Sequence, residues 1–127
     1  MTASTSTQRR IGLALGTIAV LLLLADAASQ LLAIRPVIDA AAEIGFPTTP
    51  ITWRFIGGTL LVSTLLFAYP RTAVLGAILV TGFLGGAIAA HVRIGSPLQA
   101  PVLASLVIAT LAWGSLWLRD ERVRALL

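Results

Sequence analysis

The sequence predicts an all-α integral membrane protein, a four-helix bundle with a short interfacial helix between helices 1 and 2. Of its 127 residues, 57% are hydrophobic and only 11% are charged, compared with roughly 45–50% and 25% in soluble domains. The few charges also leave four long apolar stretches uninterrupted or nearly so. Because a soluble domain of this size cannot bury so much apolar surface, water-soluble enzymes, nucleic-acid-binding modules and disordered chains are excluded.

The distribution of the net charge of +4 and the absence of cysteine exclude further classes of function. All nine basic residues are arginines at the edges of apolar stretches, which is typical of membrane topology and not of a phosphate-binding patch. We therefore expect no nucleic-acid partner. Without cysteine, thiolate catalysis and cysteine-ligated metal centres are excluded.

Charges and prolines divide the membrane domain, residues 11–118, into spans at 11–34, 51–69, 72–92 and 101–118. Each has about 18 to 24 residues, enough at 1.5 Å per residue to cross roughly 30 Å of hydrocarbon. Residues 1–10, rich in Ser and Thr, are predicted to be a disordered cytoplasmic tail. Residues 119–127 are predicted to be a second, C-terminal cytoplasmic tail.

The connections between the spans differ in length. Residues 69–72 are so few that the second and third spans must be antiparallel neighbours, and Gly95-Ser96-Pro97 is a helix stop. Residues 35–50 have their own helix signals, with Pro36 suited to the first helical position and Gly45 to the residue after the end. One side of that segment is apolar, which predicts an interfacial helix across one mouth of the bundle.

Arginine asymmetry predicts the orientation of the spans. Six arginines fall on the side of the two termini and three on the other, which predicts a multi-pass protein of the cell (plasma) membrane with both termini cytoplasmic. A cleavable signal peptide is the competing interpretation, because Arg9-Arg10 precedes an apolar run that ends at Ala25-Asp26-Ala27. Hydrophobicity resumes at residues 31–34, and this favours a span. The arginines on the terminal side are Arg9, Arg10, Arg71, Arg119, Arg122 and Arg124.

Two faces of small residues are candidates for helix association. Gly12 and Gly16 form one GxxxG motif on the first span, and Gly82 and Gly86 form another on the third. Small residues allow close backbone approach in membranes, where no hydrophobic force drives helices together. Two interpretations stay open, packing within one bundle and association into a homo-oligomer.

Asp26 is the most informative single residue, because a carboxylate inside a span costs about 2.5–3.5 kcal/mol on insertion scales. Ser29 and Gln30 follow it at helical spacing. We predict a polar pocket in the outer-leaflet half of the bundle, either a ligand site with Asp26 as its acid or base or a buried structural network. The candidate ligand-binding residues are Asp26, Gln30, Thr59, His91 and Arg93, with Ser105 at comparable depth.

His91 and Arg93 cannot both face this pocket on a regular helix, since side chains two residues apart point in directions that differ by about 200° around the helix axis. The single histidine and the lack of cysteine leave no set of zinc ligands, so we expect no metal site. Haem is disfavoured for the same reason, because a two-histidine site needs His91 from two copies.

Three segments resemble the DoxX-like family of small membrane proteins: PRTAVLGAIL at 70–79, TGFLGGA at 81–87 and HVRIGSP at 91–97. Looser similarity extends to Asp26, Gly45-Phe46-Pro47, Trp113-Gly114 and the C-terminal residues. The resemblance implies a four-helix membrane bundle. Family members commonly have a Glu in the middle of the second helix, whereas the matching position here, near Leu60, is apolar. Asp26 is then the only deep acid.

The DoxX and DoxD group includes a membrane subunit of a thiosulfate:quinone oxidoreductase, so the resemblance makes a quinone the candidate cofactor. We expect a binding or accessory component that holds a small apolar or quinone-like ligand in the outer pocket, or that anchors a redox partner protein in the lipid bilayer. A small membrane enzyme using Asp26 for proton transfer on an apolar substrate is an alternative. A structural membrane subunit is another.

Overall fold

A computed structural model of the chain describes residues 5–95 and 100–126. These residues form four long helices, two short helices and one 3₁₀ turn, and they contain no strand. The four long helices are long and apolar enough to cross a membrane, which confirms the all-α membrane bundle. The elements are α1 (Ser6–Leu31), α2 (Arg35–Glu43), α3 (Pro50–Ala68), the 3₁₀ turn Pro70–Thr72, α4 (Ala73–Arg93), α5 (Ala100–Arg119) and α6 (Glu121–Leu126).

Helix α1 begins five residues before the predicted span. Thr5 and Gln8 form a capping box, in which Gln8 N donates to Thr5 Oγ1 at 3.1 Å and Thr5 N donates to Gln8 Oε1 at 3.0 Å. This pair satisfies backbone donors that a helix start leaves free, so residues 6–10 of the predicted tail belong to α1. Helix α6 likewise occupies most of the predicted C-terminal tail, and the other span ends differ from the prediction by one to three residues.

The four long helices surround a common core. Helix α1 packs against α3 and α5, and α4 packs against the same two helices, so α1 and α4 occupy opposite corners. We call the end where α1 begins and α5 ends the arginine-rich end. One core cluster lies around Phe67 and includes Val123 of α6. The second lies around Leu23 and Leu60, so Leu60 is buried among apolar side chains.

Polar contacts also join the long helices. Ser115 of α5 donates through Oγ to the carbonyl oxygen of Gly12 at 2.6 Å. Trp113 of α5 donates through Nε1 to Thr81 Oγ1 of α4 at 2.7 Å. Hydrogen bonds between helices replace water contacts that the bilayer cannot provide, so they help to fix the neighbours of α5.

The two predicted glycine faces have different surroundings. A Cβ added at Gly12 would lie 2.9 Å from the Ser115 carbonyl oxygen, and one added at Gly16 would lie 2.5 Å from Ser115 Oγ. This face therefore packs inside the bundle, against α5. A Cβ at Gly82 or Gly86 would meet no atom of the described residues within 4 Å. Packing inside the bundle is thus the wrong interpretation of the α4 face, which is open.

Helix α2 forms where the sequence predicts a short helix. A proline stands in its first turn, and Gly45 follows it with φ of 74°, a conformation that glycine adopts without steric cost. Arg93 Nη2 donates a hydrogen bond to the carbonyl oxygen of Ile44. This hydrogen bond therefore connects the last residue of α4 to the residue that follows α2. Ser96 and Pro97 of the predicted helix stop lie outside the described residues.

Candidate functional site

Asp26 lies in the last two turns of α1, at the end of the bundle opposite the arginine-rich end. Its side chain is exposed on the outer surface. The carboxyl Oδ1 accepts a hydrogen bond from Gln30 Nε2 at 3.1 Å, and the Asp26 carbonyl oxygen accepts one from Ser29 Oγ at 2.7 Å. Among residues 5–95 and 100–126, Asp26 Oδ2 has no hydrogen-bond or ion-pair partner. The carboxyl thus has one oxygen that accepts a hydrogen bond from Gln30 and one with no such partner in the described part of the chain.

Gln30 is the buried half of this pair, with 7% of its surface exposed. Its Oε1 is buried and has no hydrogen-bond partner within the described part of the chain. Gly57 of α3 makes room for it: an added Cβ there would lie 2.8 Å from Gln30 Cβ and 2.7 Å from Leu31 N. The sequence did not reveal this contact, because nothing in it distinguishes Gly57 from the adjacent Gly58, where an added Cβ would meet only Leu31 Cδ2 at 3.9 Å.

The side chains of the other predicted ligand-binding residues form hydrogen bonds to backbone carbonyl oxygens away from Asp26. Thr59 is exposed and donates to the Phe55 carbonyl oxygen of its own helix at 3.0 Å. His91 Nδ1 donates to the carbonyl oxygen of Ala87, also in its own helix, at 2.8 Å. Arg93 is bound to α2, as described above. The structure therefore brings Asp26 and Gln30 together and does not join Thr59, His91 or Arg93 to them.

The bundle geometry accounts for this division. His91 and Arg93 belong to α4, which occupies the corner opposite α1. Ser105 is buried in α5, next to α1, but its hydroxyl donates to the Pro101 carbonyl oxygen at 2.9 Å. Within residues 5–95 and 100–126, no three His, Asp or Glu side chains lie close enough together to hold a metal ion.

A second polar region lies at the arginine-rich end. Arg9, Arg119 and Arg122 line a cleft of about 370 Å³ together with Asp120 and Glu121. Asp120 Oδ2 lies 3.2 Å from Arg122 Nη2, and its Oδ1 accepts from the Arg122 backbone N at 2.9 Å. Burial alone would raise the pKa of the Asp120 carboxyl, but the hydrogen bonds from Arg122 outweigh it and lower the pKa below its ordinary value. The Asp120 carboxylate therefore forms hydrogen bonds and an ion pair with Arg122.

Four apolar spans, a short helix between the first two and paired polar groups at each end define a small multi-pass membrane protein. The model of the DoxX-like family matches residues 14–115. Since this match covers most of the chain and reaches into all four long helices, the protein belongs to the DoxX-like family. Comparisons with curated proteins and with solved structures found no match.

Proposed function

We propose that this DoxX-like protein is a binding component of the membrane that holds a small apolar molecule with one polar end, such as a quinone, against Asp26 and Gln30. The observation that carries the proposal is the carboxyl of the exposed Asp26, which has Gln30 as its one hydrogen-bonding side-chain partner in the described part of the chain. A ligand that diffuses in the bilayer reaches such a surface sideways, without entering a closed cavity.

The energetics of the site favour a ligand with a hydrogen-bonding group. A carboxyl within the depth of the bilayer costs about 2.5–3.5 kcal/mol unless it is partnered. Gln30 Nε2 donates to Oδ1, whereas Oδ2 can accept a hydrogen bond from a ligand hydroxyl or, when the carboxyl is protonated, donate one to a ligand carbonyl oxygen. The apolar body of that ligand would lie against the neighbouring exposed side chains of α1, among them Leu21 and Leu22. The ligand would then be recognised by one hydrogen bond to Asp26 and by an extended apolar contact along α1.

Replacement of Asp26 tests this site. We expect Asp26→Leu to weaken the binding of a short-chain ubiquinone by about three- to ten-fold, since the protonated carboxyl would donate to a quinone carbonyl oxygen and such a hydrogen bond contributes about 0.5–1.5 kcal/mol. The measurement is equilibrium binding in detergent, followed by mass spectrometry of the retained quinone. Asp26→Leu also leaves the buried Gln30 amide without its partner, at a cost of about 1–3 kcal/mol in stability.

Two further variants separate binding from folding. Asp26→Asn keeps the size and most hydrogen bonds of the side chain, so its unfolding temperature should stay near that of the wild type. Ser29→Ala removes a neighbouring hydroxyl that does not contact the carboxyl and should leave binding unchanged. Quinone binding equal in wild type and Asp26→Leu would contradict the proposal. An Asp26→Asn protein that cannot fold would instead assign the carboxylate a structural role.

We also propose that the arginine-rich end faces the cytoplasm of a cell whose plasma membrane holds the protein. The six-to-three arginine asymmetry supports this orientation. Ser4, Ser96 and Leu127, whose sides the orientation predicts, lie outside the described residues. An alkaline-phosphatase fusion after Leu127 should be inactive and one after Ser96 active. The opposite pattern, or a mature chain that begins near Ala28, would overturn the orientation.

A further inference from the structure

Arg119 ends α5 at the arginine-rich end, and its guanidinium lies against α1. Arg119 Nε donates to Ser115 Oγ at 3.0 Å, and Ser115 Oγ in turn donates to the Gly12 carbonyl oxygen at 2.6 Å. A Cβ added at Gly16 would lie 3.5 Å from Arg119 Nη2. The guanidinium therefore lies within van der Waals distance of the α1 surface at Gly16, and the missing side chain there makes room for Ser115 Oγ, to which Arg119 is bound.

The two terminal nitrogens of Arg119 have no hydrogen-bond or ion-pair partner among residues 5–95 and 100–126. The next residue, Asp120, is an acid, but its carboxylate is held by Arg122. A partly buried guanidinium whose terminal nitrogens have no hydrogen-bond or ion-pair partner in the described part of the chain can bind an anion. Its two terminal nitrogens match two oxygens of a phosphate group, which bind them side by side.

Arg119 also closes one end of an apolar groove of about 220 Å³. The groove follows α1 from Leu13 to Leu21, a length of about 12 Å at 1.5 Å per residue, and Ala68 of α3 forms its other side. Thr17 is the one hydroxyl residue in the wall, and it donates to the Leu13 carbonyl oxygen at 2.8 Å. The wall is therefore apolar, with a single cation at its end.

The charges in the cleft at the arginine-rich end, which Arg119 also lines, favour the binding of an anion. Arg9 lines the 370 Å³ cleft that Arg119 shares with Glu121 and with the Asp120–Arg122 pair. The lining of the cleft holds three arginines and two acids, which leaves one net positive charge. The net charge around the terminal nitrogens of Arg119 is thus positive.

We propose that Arg119 and this groove form a binding site for one anionic phospholipid. The phosphate group binds the terminal nitrogens of Arg119 with Arg9 beside it, and one acyl chain lies along α1 from Leu13 to Leu21. The site is separate from the Asp26 region and does not depend on the ligand proposed there. The apolar groove and the single cation are complementary to the two parts of a phospholipid, whereas a soluble phosphate would leave the groove unfilled.

The test is native mass spectrometry of the full chain released from phosphatidylcholine bilayers that contain a minor fraction of phosphatidylglycerol. We expect the wild type to retain one phosphatidylglycerol in preference to phosphatidylcholine. Arg119→Gln should retain at least about ten-fold less, because a charge-assisted bond is lost. Arg10→Gln, which removes the same charge from an exposed position of α1 outside the groove, should retain as much as the wild type.

A second variant leaves Arg119 and its bond to Ser115 in place. Thr17→Trp fills the groove from an exposed position and should cause a comparable loss of phosphatidylglycerol, whereas Thr110→Trp, at an exposed position of α5, should not. Full retention by either Arg119→Gln or Thr17→Trp would overturn the proposal. So would an equal loss in Arg10→Gln, or displacement of the lipid by inorganic phosphate.

Discussion

Gly76→Ala is expected to destabilise the bundle by more than about 3 kcal/mol, although it adds a single methyl group. A Cβ at this position would overlap the backbone nitrogen and Cα of Phe67 and the carbonyl carbon of Leu66. Overpacking a core costs about 1–3 kcal/mol when side chains can adjust. Here the obstacle is the backbone of α3, which cannot rotate away, so α3 and α4 must move apart.

Gly86→Ala is the matched control on the same helix. An added Cβ at Gly86 meets no described atom within 4 Å, and alanine favours a helix over glycine by roughly 0.5–1 kcal/mol. Thermal unfolding in detergent, followed by circular dichroism, should therefore show a large loss for Gly76→Ala and none for Gly86→Ala. Equal losses would contradict the close contact between α3 and α4. A lower yield of crosslinked dimer from Gly86→Ala at unchanged stability would place a second copy on the open α4 face.

The helices themselves follow from the sequence because hydropathy, proline and arginine mark where a span can begin and end. The direction that each helix faces does not follow. Lipid is as apolar as the core, so the exposed Leu79 and the buried Leu84 of α4 have the same polarity. Small residues are equally ambiguous, since Gly76 is closely packed and Gly82 is open. Only the three-dimensional packing separates these cases.

The same distinction applies to the candidate sites. The pairing of Asp26 with Gln30 could be predicted, because residues four apart share a face of one helix. The distance of His91 from Asp26 could not, since it depends on α4 occupying the corner opposite α1. The position of Arg119 beside Gly16 likewise requires that α5 be the neighbour of α1. Local spacing predicts contacts within a helix, and contacts between helices depend on their order around the core.

Phe67→Ala should be the most damaging change of a side chain in the core, with an expected loss of about 3–5 kcal/mol. Phe67 of α3 is fully buried, in a cluster that contains Ala19 of α1, Ala77 of α4 and Leu116 of α5. This loss of stability does not come from exposing the ring to water, because a span that leaves the bundle remains in lipid. It arises from the cavity and from the van der Waals contacts that the ring makes within this cluster.

Phe55→Ala is the control that isolates this effect. Phe55 lies on the same helix, but 76% of its surface is exposed. Its ring contacts lipid whether the bundle is folded or unfolded, so its removal should change the stability little. Unfolding of both variants by sodium dodecyl sulfate in mixed micelles gives the comparison, and Phe67→Leu should fall between Phe67→Ala and the wild type. If Phe55→Ala is as unstable as Phe67→Ala, the two phenylalanines have similar surroundings, and α3 must be rotated about its axis relative to the packing described here. That rotation would also remove Gly57 from Gln30, so the same comparison tests the neighbourhood of Asp26.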